Sequence, residues 1–180
     1  MTFPKPYADV VARWRVFCGF ALAVAFVWLS HPAPRSLALG LPVALAGLAL
    51  RAWAAGYLHK DQALSTGGPY AYTRNPLYVG TLVATAGLAM AARSLLLAAL
   101  FALVFVAAYL PAIQLEEQHL RSLFPEYAAY TARVPALWPR SSGARSPHHF
   151  EWALYWKNRE YHAALGFLAG VMILLWKARH

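Results

Sequence analysis

The chain has 180 residues, 60% of them apolar, and a mean hydropathy of +0.42, a composition that suits membrane helices and argues against a soluble globule. Its net charge of +9 would suggest nucleic acid in a soluble protein; around apolar segments it marks helix ends facing anionic lipid, so nucleic-acid binding is set aside. Cys18 is the only cysteine, which excludes an internal disulfide, and its apolar surroundings read as those of a small buried hydrophobe.

In chain order, Val16 to Ser30 follows "RWR" and reads as a retained helix. The succeeding "HPAPRS" is a poor cleavage site, and Trp28 suits an interfacial anchor. Ser36 to Leu58 is a second span, interrupted only by Arg51. Leu77 to Ala92 is a third and Ser94 to Leu115 a fourth, with Pro111 expected to kink it. The middle three are close to the ~20 residues that cross a bilayer. From Glu116 to Arg159 the chain turns polar and aromatic, which predicts a cap. His162 to Trp176 is a last apolar run, short for a span and expected to cross tilted or to lie partly at the interface. Ser141 to Pro147, "SSGARSP", reads as a flexible join. The expectation is one all-α integral membrane domain over residues 1–180: about five transmembrane helices with a cytoplasmic C-terminal cap.

Lysine and arginine counts set the orientation. With the amino terminus inside, Lys5, Arg13, Arg15, Lys60, Arg74, Arg121, Arg133, Arg140, Arg145, Lys157 and Arg159 fall on the cytoplasmic side. Only Arg35, Arg93, Lys177 and Arg179 fall on the other. That asymmetry places both polar segments, Lys60 to Pro76 and Glu116 to Arg159, on one cytoplasmic face by the positive-inside rule, and the expected location is a bacterial inner membrane. A short turn at Arg93 would make helices three and four an antiparallel hairpin whose polar ends meet.

The first polar segment is "STGGPYAYTRNPLYVG". Gly67 and Gly68 permit unusual backbone angles, and Pro69 fixes the next one. "RNP" restarts a helix with Asn75 at the N-cap and Pro76 in the first turn. Such a helix end suits a carboxylate, and Arg74 beside it offers a two-pronged contact. A positive-inside anchor with an aromatic belt is the plainer reading of the same residues. The second segment is "QLEEQHLRSLFPEYAAYTARVPALWP". Glu116 and Glu117 are expected to end a membrane helix, and at ~100° apart only one can face a given target. Glu117 and Arg121 have i,i+4 spacing, so a solvated pair is the alternative.

Together, "GPYAYTRNPLYVG" and the later "EEQHLRSLFPEYAAYTARVP" resemble the isoprenylcysteine carboxyl methyltransferase family, a grouping similar also to the phospholipid N-methyltransferases. The likeness covers residues 64–139 and leaves 140–180 as an extension. It implies an integral membrane enzyme that uses S-adenosylmethionine from the cytosol and a lipid-like or lipid-anchored acceptor from the bilayer. It implies a cofactor site of Gly68, Pro69, Tyr70, Arg74, Asn75, Pro76, Tyr78, Glu116, Glu117, Leu120, Tyr127 and Tyr130, with Arg74, Glu116 and Glu117 as catalytic candidates; Arg51, outside the likeness, is a fourth candidate from its place within an apolar span. The cofactor's carboxylate suits arginine and helix amides, its ammonium an acid, its sulfonium aromatic faces. Departures are Asn75 where eukaryotic members carry His, a shortened "FPEY", and the extension "KNREYHAALGF"; they bear on the acceptor more than on the cofactor.

Arg51 either snorkels to the interface or serves a cavity, where it would hold a negative acceptor head. His59, Lys60 and His119 read first as interfacial residues, with cofactor contact or a base role as alternatives. His148 and His149 lack partners at zinc-site spacing, so no metal is expected. Carboxyl O-methylation is the first functional reading and lipid N-methylation the second. A nicotinamide-dependent membrane reductase and a non-enzymatic membrane scaffold with the same helical core are the rivals.

Overall fold

The computed structural model describes residues 5–140 and 149–179, with side chains from Phe17 onward. The expected join Ser141–Pro147 and His148 of the histidine pair lie outside the described residues. The described residues are helical with no strand. In order they form α1 (Lys5–Leu29), α2 (Pro34–Ala55), α3 (Pro76–Ala92), α4 (Leu95–Leu123), α5 (Tyr127–Arg133), α6 (Trp152–Lys157) and α7 (Tyr161–Arg179). Three of them, α2, α4 and α7, are long and apolar enough to cross a membrane, while Phe17–Leu29 of α1 and Pro76–Ala92 are shorter apolar helices. The protein is thus a membrane helical bundle. The expected final helix is longer than its apolar run suggested, because Tyr161 starts it and Lys177 and Arg179 finish it. The third is only 17 residues, since Pro76 opens it and Arg93 ends it.

Local chemistry accounts for the helix ends. Pro34 and Pro76 occupy first-turn positions, where the missing N–H costs nothing. Arg93 takes a left-handed conformation (φ 53°), and Ser94 then accepts a hydrogen bond from the Leu97 N–H at 3.2 Å to start α4. This tight turn makes α3 and α4 the expected antiparallel hairpin. Pro111 cannot donate within α4, and the helix widens into a π turn over Phe105–Tyr109 just before it, with the Leu110 N–H reaching the Phe105 carbonyl.

The closest pairing is between α2 and α3. Gly40 and Gly47 face Gly87 and Gly80, with Ala44, Ala84 and Ala91 between them. A Cβ at Gly40, Gly47 or Gly87 would lie under 3.0 Å from backbone atoms of the opposite helix. Where lipid tails remove the hydrophobic advantage of burial, such small-residue stripes let backbones approach and gain dispersion contact. At one end of the bundle Phe26, Ala91, Ala92, Leu97 and Leu174 pack together, and the His31 N–H bonds to the Ala92 carbonyl at 2.8 Å. Lys177 reaches the Val27 carbonyl at this end. Arg93 sits here too. Cys18 is half-buried on α1.

The other end is polar. The Arg140 N–H donates to the Tyr72 carbonyl, the Glu151 N–H to Gly56, and the Arg74 N–H to Pro135, each at 2.9 Å. Both polar segments therefore meet at one end of the helices, as their charge pattern predicts. Glu116 and Glu117 do not end a helix, however. Helix α4 runs on to Leu123, so both acids stand about two turns inside it, and the separate cap begins only at α5.

Candidate functional site

A cavity of about 750 Å³ lies at this polar end. Its walls come from the end of α2 (Arg51, Ala55), the loop 58–65, the start of α3 (Pro76, Leu77, Tyr78) and the inward face of α4 (Tyr109, Glu116, His119, Leu120). Tyr70, Arg74, Asn75, Tyr127, Tyr130, Asn158 and Glu160 complete it. Of the two adjacent acids, Glu116 lines the cavity, and the Tyr78 hydroxyl donates to its Oε2 at 3.0 Å.

Glu117 points to a different partner. Arg74 donates from Nε to its Oε1 at 3.0 Å and from Nη2 to its Oε2 at 3.3 Å. Asn75 Nδ2 also reaches Glu117 Oε1, at 3.3 Å, and the Ala136 carbonyl at 3.0 Å. Arg74 Nη1 donates to the carbonyls of Thr131 and Val134. The two-pronged contact expected of Arg74 toward a ligand carboxylate is therefore made with Glu117 of the same chain, and Glu117 pairs with Arg74 rather than with the exposed Arg121; the contact fastens the α5 segment to the front of α3. Asn75 holds the N-cap position, but its side chain does not cap the helix; it joins this latch instead.

The "GGPY" stretch forms a 3-10 turn over Gly68–Ala71. Gly67 keeps ordinary extended angles, whereas Gly68 has φ +54°, and a Cβ there would meet the Tyr57 ring. Gly68 and Pro69 shape the loop from behind, and only Tyr70 of the three lines the cavity. The Tyr130 hydroxyl donates to the Tyr70 carbonyl at 2.7 Å. Burial raises the pKa of Tyr70, Tyr127 and Tyr130, and that of Tyr127 is pushed up to about 12, first by burial and then by the Glu117 charge. All three stay neutral phenols at physiological pH.

Tyr127 is 1% exposed, and its hydroxyl is the one buried side-chain polar atom among the described residues with no hydrogen-bond partner. A buried hydroxyl left unpaired costs about 1–3 kcal/mol, and this one belongs to a residue of the cavity wall.

Arg51 does not snorkel. Its Nε and Nη2 donate to Glu160 Oε1 and Oε2 at 2.6 and 2.9 Å, and its Nη1 reaches the Leu77 carbonyl and the Thr81 hydroxyl. Glu160 is buried. Asn158, just before it, donates to the carbonyls of Ala55 and Leu58 at 2.9 and 3.0 Å, pinning the extension against the end of α2. Sequence reasoning missed Glu160 and Asn158 because they stand in the extension. The available signal was an acid directly ahead of an apolar helix, in a chain with seven acids and an intramembrane arginine in need of one. Tyr109 was also missed. The π turn carries it into the cavity, where its ring meets Tyr78 edge-on at 5.9 Å and stacks on Phe105 at 5.7 Å. Toward solvent, His119 Nε2 lies 3.2 Å from Asp61 Oδ1, and His59 and Lys60 complete that rim.

The family model described as phospholipid methyltransferase matches residues 14–127. The chain belongs to the phospholipid methyltransferase family. That match runs from within α1 through α4 to the first residue of α5, including Arg51, the Arg74–Glu117 latch and Glu116. Asn158 and Glu160 lie outside it. Among curated proteins, the chain is 40% identical over 143 residues to the cobalt-zinc-cadmium resistance protein CzcN of Cupriavidus metallidurans, covering 73% of this chain and 64% of that one. It is 41% identical over 159 residues to the nickel-cobalt-cadmium resistance protein NccN of Alcaligenes xylosoxydans xylosoxydans, covering 79% of this chain and 73% of that one. The chain thus spans less than two thirds of the length of the first relative. No solved structure matches it.

Proposed function

We infer that this member of the family transfers a methyl group from S-adenosylmethionine to a lipophilic acceptor at the cytoplasmic face of a membrane. The observation that carries the reading is the cavity that Glu116 and a group of tyrosines line together, with the unpaired Tyr127 hydroxyl buried in its wall. This donor set fits the cofactor. Glu116 would hold its ammonium, the neutral Tyr127 phenol would donate to its carboxylate, and the faces of Tyr78 and Tyr109 suit a sulfonium. When bound, the cofactor supplies an electrophilic methyl group. The protein's own contribution is to orient the two reactants and to keep water from them, which Leu64, Leu77 and Leu120 serve. A carboxylate acceptor needs no base; an amine or phenol would pass its proton to His119 on the rim.

Calorimetry on the purified chain tests the reading. S-adenosylhomocysteine is expected to bind and NADPH not to; the reverse would favour a reductase, and binding of neither a scaffold. Tyr127→Phe gives a sharper result. Removing an unpaired buried hydroxyl is expected to stabilise the apoprotein by about 1 kcal/mol while weakening S-adenosylhomocysteine roughly tenfold. Loss of both stability and affinity would mean that the hydroxyl serves the fold.

The orientation is testable separately. In a Cys18→Ser background, Lys60→Cys and Arg140→Cys should both label in inside-out vesicles and neither in intact cells. Opposite labelling of the two would break the shared polar face.

The likeness to isoprenylcysteine carboxyl methyltransferases supports a carboxylate acceptor, and the phospholipid methyltransferase family supports a lipid amine. Label released from the organic phase by mild base marks an ester, and base-stable label an N-methyl or aryl ether product. Both relatives are named for resistance that includes cobalt and cadmium. For this chain we take that as a setting in which the methylated membrane product acts, with the lipid-like acceptor rather than a metal ion as its substrate.

A further inference from the structure

The two arginines of the cavity are both already engaged by acids of the same chain. Arg74 is held by Glu117. Arg51 is held by Glu160 through two parallel bonds, with its remaining contacts to Leu77 and Thr81. The position of the second pair matters. Arg51 stands one turn, ~6 Å, inside the last residue of α2, and Tyr109 stands about 10 Å inside Glu116 along α4. Arg51, Leu77, Tyr109 and Glu160 therefore form the membrane-side end of the cavity, whereas His59, Lys60, Asp61 and His119 form its solvent rim. A lipid-like acceptor enters from the membrane side and meets the Arg51–Glu160 end first.

We propose that Glu160 is a specificity-determining residue: by neutralising Arg51 it makes the membrane-side end of the cavity reject anionic acceptor heads and admit amine or uncharged ones. The inference rests on the methyl-transfer reading for its purpose but not for its geometry. An unpaired Arg51 would be a strong carboxylate site, because a guanidinium fork matches a carboxylate two-to-two and a half-buried cation gains from a partner. Glu160 fills that fork from within the chain. An acceptor carboxylate would have to displace a buried acid, while an amine or uncharged head meets a closed, neutral pair. Because Glu160 lies beyond the residues matched by the family model, this discrimination is added by the chain's C-terminal extension.

Dodecylamine and dodecanoate, titrated into the whole chain in neutral detergent with protein-free micelles as the blank, test the proposal. The unaltered chain is expected to bind the amine at least tenfold more tightly. Glu160→Gln should raise dodecanoate affinity at least tenfold and lower that of the amine. Arg51→Met, which leaves the acid alone, should widen the preference for the amine. Helix signal and monodisperse elution establish which variants fold. An unaltered chain that prefers dodecanoate overturns the proposal without any variant. So does a folded Glu160→Gln or Arg51→Met chain whose preference is unchanged. S-adenosylhomocysteine titrated into the same unaltered sample keeps the two ideas apart. Its failure to bind refutes methyl transfer and leaves the head-group discrimination readable; binding with no discrimination refutes only the role of Glu160.

Discussion

Arg74→Ala is expected to release the cap from the membrane helices. The side chain makes four bonds at once: two to Glu117 and one each to the carbonyls of Thr131 and Val134. Its removal leaves the Glu117 carboxylate, 19% exposed, with Asn75 as its remaining partner. Breaking a buried pair by deleting one member costs about 3–5 kcal/mol, and the partial exposure here places the loss near 3. The loss should be local. Amide exchange should accelerate over α5 and Pro135–Arg140 and stay slow in α2 and α3. S-adenosylhomocysteine affinity should fall with it, since Tyr127 and Tyr130 ride on α5. Arg74→Lys should recover little, because an ammonium cannot serve two carboxylate oxygens and two carbonyls in one plane. An Arg74→Ala chain with unchanged exchange in α5 would show that the tyrosine packing alone holds the cap.

Gly47→Leu is expected to be more damaging still. A side chain at this position meets backbone atoms of Gly80 and Ala84, which cannot move aside as a flexible side chain would. Overpacking of an ordinary core costs about 1–3 kcal/mol, and against backbone at the closest helix contact the upper end or more applies. Parting α2 from α3 also separates Arg51 from Leu77 and Thr81, so the cavity is lost with the fold. Gly166→Leu is the matched control. Nothing lies within 4 Å of its added Cβ, and leucine is the better helix former by about 1 kcal/mol. The readout is the fraction of chain that elutes folded in mild detergent. Equal behaviour of the two variants would mean that the α2–α3 stripe is not the tight contact of the bundle.

The apolar segments, their order and the hairpin at Arg93 follow from composition and spacing, because a helix in lipid must satisfy its own backbone and so leaves a long, continuous signal. The charge pattern separates the two ends in the same way, and the structure brings the polar segments Lys60–Pro76 and Glu116–Pro139 together. The motif "TRNPLY" marks a helix start from Asn75 and Pro76 alone. What each polar side chain holds was decided only by the fold. Glu116 and Glu117 are neighbours in sequence, and the ~100° step between them gives two directions without saying which faces the cavity. The crossing of α3 beside α4 decides it, by bringing Arg74 to Glu117 and Tyr78 to Glu116. Arg51 posed the same problem at longer range. Its partner lies 109 positions away, beyond the residues that carry the family likeness. No local period encodes such a pair. It exists because the chain returns after α6 to the end of α2, where Asn158 ties it down and the half-buried Arg51 guanidinium meets the buried Glu160.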